Sequence, residues 1–273
     1  MLKQRLITAF ILGTLVIWGI FALPSLWFAA IFGAFACVGA WEWAGLIKIS
    51  RVTGRLFYVS GIAIIFVLLT PWMLDASNIL YLTGAGVIWW LFATVMVFRY
   101  RGGDDFQPGI IDVLNGIFLL LPCWAGIVWL QAQEYGPQLV LFMMMCIWAA
   151  DSGAYFAGRR FGKRKLAPHV SPGKSWEGVF GGFIFAVLFA ILSSLFWFEW
   201  QGEFAAGFIL LAVVTVIISV VGDLAESVFK RRVGVKDSGT ILPGHGGVLD
   251  RIDSLTAAAP VFATGYWLLE NVL

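Results

Sequence analysis

The eighteen Lys and Arg residues of this chain are sorted by its apolar stretches. Nine such stretches, near 6–23, 26–47, 56–74, 78–98, 110–130, 138–157, 179–198, 204–228 and 254–272, approach the roughly 20 residues an α-helix needs to cross a bilayer. If successive connections alternate sides, all eighteen cations fall on one side, in segments 1–5, 48–55, 99–109, 158–178 and 229–253. The opposite side holds acids only: Asp75, Glu134, Glu199, Glu203 and, near the C-terminus, Glu270. Adding or removing one span would destroy this sorting. The positive-inside rule therefore predicts about nine transmembrane helices with the N-terminus in the cytoplasm. Backbone in lipid has no water to bond, so each passage must close its own hydrogen bonds as a helix. The expected fold class is all-α, a polytopic membrane protein.

Composition agrees. The chain is 60% hydrophobic and 12% charged, where a soluble domain carries roughly twice that charge. A net charge of +2 gives no reason to expect a nucleic-acid partner. Cys37, Cys123 and Cys146 all lie in apolar runs, without metal spacing, and read as packing residues. The first apolar run lacks a convincing small-residue cleavage site and is expected to stay as a span. The Trp residues sit largely near span ends, as an interfacial belt would. Residues 1–130 have short loops and read as a scaffold, with dimer contacts expected there; residues 131–273 carry the polar loops. In the first half, Glu42 is the one acid well inside a span and reads as a hydrogen-bonded packing residue.

Three passages in the second half offer chemistry. The sixth apolar run ends in WAADSGAYFAGRRFGKRK, with Asp151 inside the membrane near its cytoplasmic edge. Arg159, Arg160, Lys163, Arg164 and Lys165 follow, equally suited to phosphate and to anionic lipid. Next comes SPGKSWEG, where Ser171, Gly173, Lys174, Ser175 and Glu177 precede a helix start and suggest a phosphate cradle. It is not a Walker loop, because G-x-x-x-x-G-K-[ST] is absent. Third, the eighth run ends in GDLAESVFKRR, placing Asp223, Glu226 and Ser227 on one helical face. An unpaired carboxylate there is costly, so it needs a cation or an ion pair with Lys230 or Arg231. Asp250 and Asp253 open the ninth run at the same edge. Oxygen ligands on separate helix ends suit a hard cation, Mg²⁺ above all. His245 lacks a second His or Cys at zinc spacing. Its neighbours Gly244, Gly246 and Gly247 suggest backbone that closely approaches a ligand. Carboxylates beside Lys230, Arg231, Arg232, Lys236 and Arg251 fit phosphoryl or nucleotidyl transfer.

The run SVFKRRVGVKDSGTILPGHGGVLDRID, residues 227–253, resembles the signature of the phosphatidate cytidylyltransferases. The matching positions are Ser227, Lys230, Arg231, Lys236, Asp237, Pro243, His245, Gly246, Gly247, Asp250, Arg251 and Asp253. The DSGAYFAGRRFGKRK and SPGKSWEG stretches are also similar to that family. The resemblance implies transfer of CMP from CTP to phosphatidic acid, giving CDP-diacylglycerol and pyrophosphate. It further implies a homodimer in the cell inner membrane, with an active site facing the cytoplasm and opening sideways to lipid. Asp223 and Asp250 would hold Mg²⁺, with K⁺ as a second cation; Asp151, Glu226 and Asp253 are further candidates for metal. Lys230, Arg231, Lys236, His245 and Arg251 join those two aspartates as catalytic candidates. The phosphate-binding candidates are the cradle residues with Ser227, Asp237, Gly246 and Gly247. Other readings are a CTP-dependent lipid-alcohol kinase, which would release CDP, and an anion transporter. The clustering of acids at one interface rather than mid-bilayer argues against a transporter. A structural scaffold would have no use for so ordered a polar loop.

Overall fold

The computed structural model describes residues 2–73, 78–103, 106–198, 200–242, 244 and 246–272. Among these, nine α-helices make up nearly the whole protein: α1 (Leu2–Ala22), α2 (Ser25–Leu46), α3 (Val52–Met73), α4 (Ile79–Arg99), α5 (Ile110–Gln131), α6 (Gly136–Phe161), α7 (Trp176–Phe196), α8 (Gly202–Arg232) and α9 (Leu249–Val272). Seven of them, α2 to α8, are long and apolar enough to cross a membrane. In α1 the apolar part is the shorter Phe10–Ala22, and α9 opens on the charged Asp250, Arg251 and Asp253. Phe57, Phe92, Phe180, Phe196 and many other large apolar side chains face outward. So wide an apolar exterior is tenable only against lipid. The protein is an all-α, multi-pass membrane protein.

The polar connections are more ordered than loops. α6 continues through Arg159 and Arg160, and α8 through Lys230, Arg231 and Arg232, so these cations sit on final helical turns. Between α6 and α7 stands a hairpin of β1 (Lys165–Ala167) and β2 (Ser171–Ser175), paired antiparallel, which apolar periodicity does not reveal.

The interior is centred on α5 and α9. Pro122 to Gln131 of α5 are all buried, as are Leu255 to Pro260 of α9. Lipid supplies no hydrophobic drive between helices, so association depends on close packing and hydrogen bonds. Both are present. α6 and α7 meet through small residues: a Cβ at Gly181 would collide with Ala157, and one at Gly182 would lie 2.5 Å from the Ala150 carbonyl oxygen. Three tryptophans tie helices together. The indole N–H of Trp43 donates to the Asp112 carbonyl at 2.9 Å, that of Trp90 to Thr256 at 3.0 Å, and that of Trp124 to Ala29 at 3.0 Å. All three rings are buried, because a donor inside the bilayer must find its acceptor within the protein.

Candidate active site

The polar residues of the second half converge where the C-terminal turns of α6 and α8 meet the start of α9 and the hairpin. On α8, Asp223, Glu226, Ser227 and Lys230 recur at intervals of three and four residues and form one stripe. That stripe faces α9 because Gly222 removes the obstacle. A Cβ at Gly222 would lie 2.6 Å from the Asp253 carbonyl oxygen, so any side chain would force α8 and α9 apart.

Lys230 is the centre of this arrangement. Its ammonium lies 2.8 Å from Glu226 Oε2 and 2.7 Å from Asp250 Oδ1, bridging α8 to α9. Glu226 is 1% exposed, and its second oxygen, Oε1, has no partner among the described residues. The other oxygen of Asp250, Oδ2, accepts from the Ser238 N–H at 2.8 Å, the Ser238 hydroxyl at 3.0 Å and the Gly247 N–H at 2.8 Å. Asp223 does not pair with Lys230 or Arg231, the partners suggested by sequence proximity. Its partner is Lys174, at 2.5 Å, reaching across from β2. The Ser227 hydroxyl donates to Asp223 Oδ1 at a long 3.4 Å. Asp151 on α6 stands within electrostatic range of Asp223, Lys174 and Arg251. Asp253 stands in the same relation to Asp223, Lys174, Lys230 and Glu226.

Other candidate residues have local work. Ser175 caps α7 by accepting the Gly178 N–H at 3.2 Å. Glu177 accepts the backbone N–H groups of Lys163 and Arg164, at 3.0 and 3.1 Å, fixing the exit from α6. These two residues therefore shape the cradle with their side chains. The Arg231 Nε donates to the Val170 carbonyl at 3.2 Å and holds the hairpin against α8. Ser171 is half-buried, whereas Gly173, Lys236, Asp237 and Arg251 are exposed, as are Arg159 to Lys165. Pro243 and His245 lie outside the described residues.

The glycines of the 227–253 passage have distinct causes. Gly234, at φ 73°, ends α8: its N–H donates to Arg231 and the Val235 N–H to Lys230, the Schellman pattern that a left-handed residue allows. Gly246, at φ 82°, turns the chain back, so that the Leu242 N–H meets the Gly246 carbonyl at 2.9 Å. Gly239 and Gly247 make room for Glu42 of α2, the buried acid whose partners the sequence does not name, against which a Cβ at either position would collide.

These donors fit a hard divalent cation. Five carboxyl groups, on Asp151, Asp223, Glu226, Asp250 and Asp253, lie among three cations, Lys174, Lys230 and Arg251. The orphaned Glu226 oxygen adds an unsatisfied ligand atom. Among the described residues no three of these side chains close a complete cage. A cation here would have to complete its shell with water and substrate phosphate, as Mg²⁺ does when it is held by one or two carboxylates.

A cavity of about 240 Å³ adjoins the cluster between α6, α7 and α8. Its lining combines the polar Asp151, Lys174 and Ser175 with the apolar Ala154, Gly182, Phe183, Val216, Ile217 and Val220. Ile217 and Phe183 are exposed at its rim, on the face turned to lipid. A lining of both kinds is compatible with an amphiphile.

The model of the Cytidylyltransferase family matches residues 3–269. The chain is 45% identical over 268 residues to a phosphatidate cytidylyltransferase of Pseudomonas aeruginosa, covering 98% of this chain and 97% of that protein. It is 43% identical to one of Haemophilus influenzae, covering 98% and 100%. With one of Bacillus subtilis it shares 32% identity, covering 98% and 97%.

Proposed function

The chain belongs to the cytidylyltransferase family, and on that premise we propose that it transfers the cytidylyl group of CTP to phosphatidic acid, leaving CDP-diacylglycerol in the membrane and releasing pyrophosphate. The observation that carries this reading is the cluster of carboxyl groups and cations that reaches, through Asp151 and Lys174, into the wall of a cavity otherwise lined by apolar side chains. A nucleotide arrives from water and the lipid's acyl chains stay in the bilayer, so the two meet only at an interface.

A phosphate oxygen of phosphatidic acid attacks the α-phosphorus of CTP; a new P–O bond forms as the bond to the β-phosphate breaks, and pyrophosphate carries away the electron pair. The monoester's second pKa is about 6, so near pH 7 the nucleophile is mostly ionised and no general base is assigned. The obstacle is the meeting of two polyanions. Lys174, in the wall of the cavity, neutralises the lipid phosphate once it leaves Asp223. Arg251, Lys236 and Arg231 supply charge to the triphosphate, the arginines by two-pronged contacts. Lys230 keeps Asp250 aligned with Glu226. Asp223 and Asp250 would hold Mg²⁺, with Asp151, Glu226 and Asp253 close by, and K⁺ as a second cation. When bound, the metal supplies positive charge for the α-phosphate and the departing pyrophosphate. The site faces the cytoplasm of a bacterial inner membrane, and the protein works as a homodimer.

The test is transfer from CTP labelled separately at the α and γ phosphates, with phosphatidic acid, Mg²⁺ and K⁺, using purified protein in detergent. Label from the α position is expected in lipid, with pyrophosphate released. Label from the γ position in lipid would make the protein a kinase, and no label from either would overturn group transfer altogether.

A further inference from the structure

Glu42 lies in the half of the chain with little chemistry, yet its carboxyl group reaches the catalytic loop. It is 3% exposed. Oε1 accepts the Val248 N–H at 3.0 Å, and Oε2 accepts the Leu249 N–H at 2.8 Å. The first N–H groups of a helix have no partner within it, and negative charge is favoured there. A side chain from α2 thus caps α9. The Ser238 hydroxyl lies 3.2 Å from Glu42 Oε2 and 3.0 Å from Asp250 Oδ2; its single proton serves either. With the Gly247 N–H bonded to Asp250, four consecutive residues, 247–250, and Ser238 are locked around two carboxylates. Gly239 and Gly247 are bare because Glu42 fills the space a Cβ would need.

We propose that Glu42 is a positioning residue for the transfer reaction: by capping α9 and holding Ser238, it sets the orientation in which Asp250 meets Lys230. The proposal rests on the reading that Asp250 works at the phosphate site. Glu42 touches no substrate. Its effect travels along one short chain of hydrogen bonds, from α2 through Ser238 and the 247–249 backbone to Asp250.

Glu42→Gln keeps the volume but loses the charge and turns an amide N–H₂ toward Leu249 or Val248. The experiment measures transfer of α-label from CTP to phosphatidic acid for wild type, Glu42→Gln, Ser238→Ala and the double variant. Thermal unfolding is followed on the same samples. For Glu42→Gln, kcat should fall about tenfold or more, the usual loss when a residue orienting a working ligand is changed. Its KM for CTP should stay within roughly twofold, since no ground-state contact is removed. The double variant should be no slower than Glu42→Gln alone, because both changes cut one path. Wild-type kcat in Glu42→Gln overturns the proposal, as do additive losses. So does a lower unfolding temperature with unchanged turnover per folded molecule. If Glu42→Gln does not fold, Glu42→Asp decides, since it keeps the carboxylate but withdraws it by one methylene: reduced kcat at unchanged KM and unfolding temperature upholds the proposal, and wild-type kcat sinks it. Wild-type protein without transfer would count against the function reading; active wild type beside an unaffected Glu42→Gln would count against this proposal alone.

Discussion

At the scale of single residues, Lys230 carries the heaviest load, because two buried carboxylates depend on one ammonium. Removing one member of a buried ion pair leaves uncompensated charge and typically costs about 3–5 kcal/mol. Lys230→Ala should therefore destabilise the folded protein on that scale, read as a fall in thermal unfolding temperature in detergent. Asp223→Asn is a different case, since Asp223 is partly exposed and its partner Lys174 can turn to water. It should leave unfolding nearly unchanged while turnover drops by on the order of 100- to 1,000-fold, the loss typical of one electrostatic stabiliser of transition-state charge. Near-normal turnover in both Asp223→Asn and Asp250→Asn would remove the metal-holding role from this pair. Sequence spacing made part of this legible. Spacing places Asp223, Glu226 and Ser227 on one face, but Lys230 pairs with Glu226, one helical turn away, and not with Asp223 as sequence proximity suggests. The Lys174–Asp223 pair joins a hairpin to a helix, and the Glu42 contacts join α2 to α9; no local pattern reports either.

At the scale of elements, two helix contacts fix the site, and both are made by glycine. α8 approaches α9 at Gly222, and α6 approaches α7 at Gly153, Gly181 and Gly182. Gly222→Leu should push the Asp223 stripe off α9, with an overpacking cost of about 1–3 kcal/mol and a collapse of turnover. Gly61→Ala on α3, where nothing lies within 4 Å of the added Cβ, should leave both unchanged. Equal effects from the two substitutions would show that helix approach is not the controlling variable. The helices themselves were readable as apolar runs, and most of their limits fall within a few residues of those runs. Five limits are missed by four or five residues: the starts of α1 and α3, the ends of α6 and α8, which extend into the basic clusters, and the start of α9 at Leu249, ahead of the apolar stretch. Hydropathy ends a helix where the membrane ends. Hydrogen bonding continues it until a Gly234 or a capping carboxylate intervenes. The hairpin escaped for a related reason, since β1 is three residues long and alternates too briefly to give a signal.

At the scale of the whole molecule, charge sorting and helix polarity agree. α4, α6 and α8 carry basic residues in their last turns, and the other six described helices carry none there. Lys48 follows the end of α2 and donates to the Phe106 carbonyl at 2.6 Å. If the helices alternate in direction across the bilayer, the even-numbered ones all end on one side. Cations are then favoured there twice, by the helix dipole and by the positive-inside rule. The same side receives Asp151, Lys174, Lys230 and Asp250, so orientation decides whether CTP can reach the site. Accessible cysteines test it. Cys123 and Cys146 are buried and Cys37 is half-buried, so a membrane-impermeant thiol reagent should react little with the native cysteines. Arg51 precedes α3 and Glu134 follows α5, so three helices separate two exposed positions. In intact cells Glu134→Cys should react and Arg51→Cys should not, until the membrane is permeabilised. The reverse pattern would put the carboxylate cluster outside, away from cytoplasmic nucleotide. Reaction of both from one side would mean that α3, α4 and α5 do not all cross, and the alternation that sorts eighteen cations would have to be abandoned.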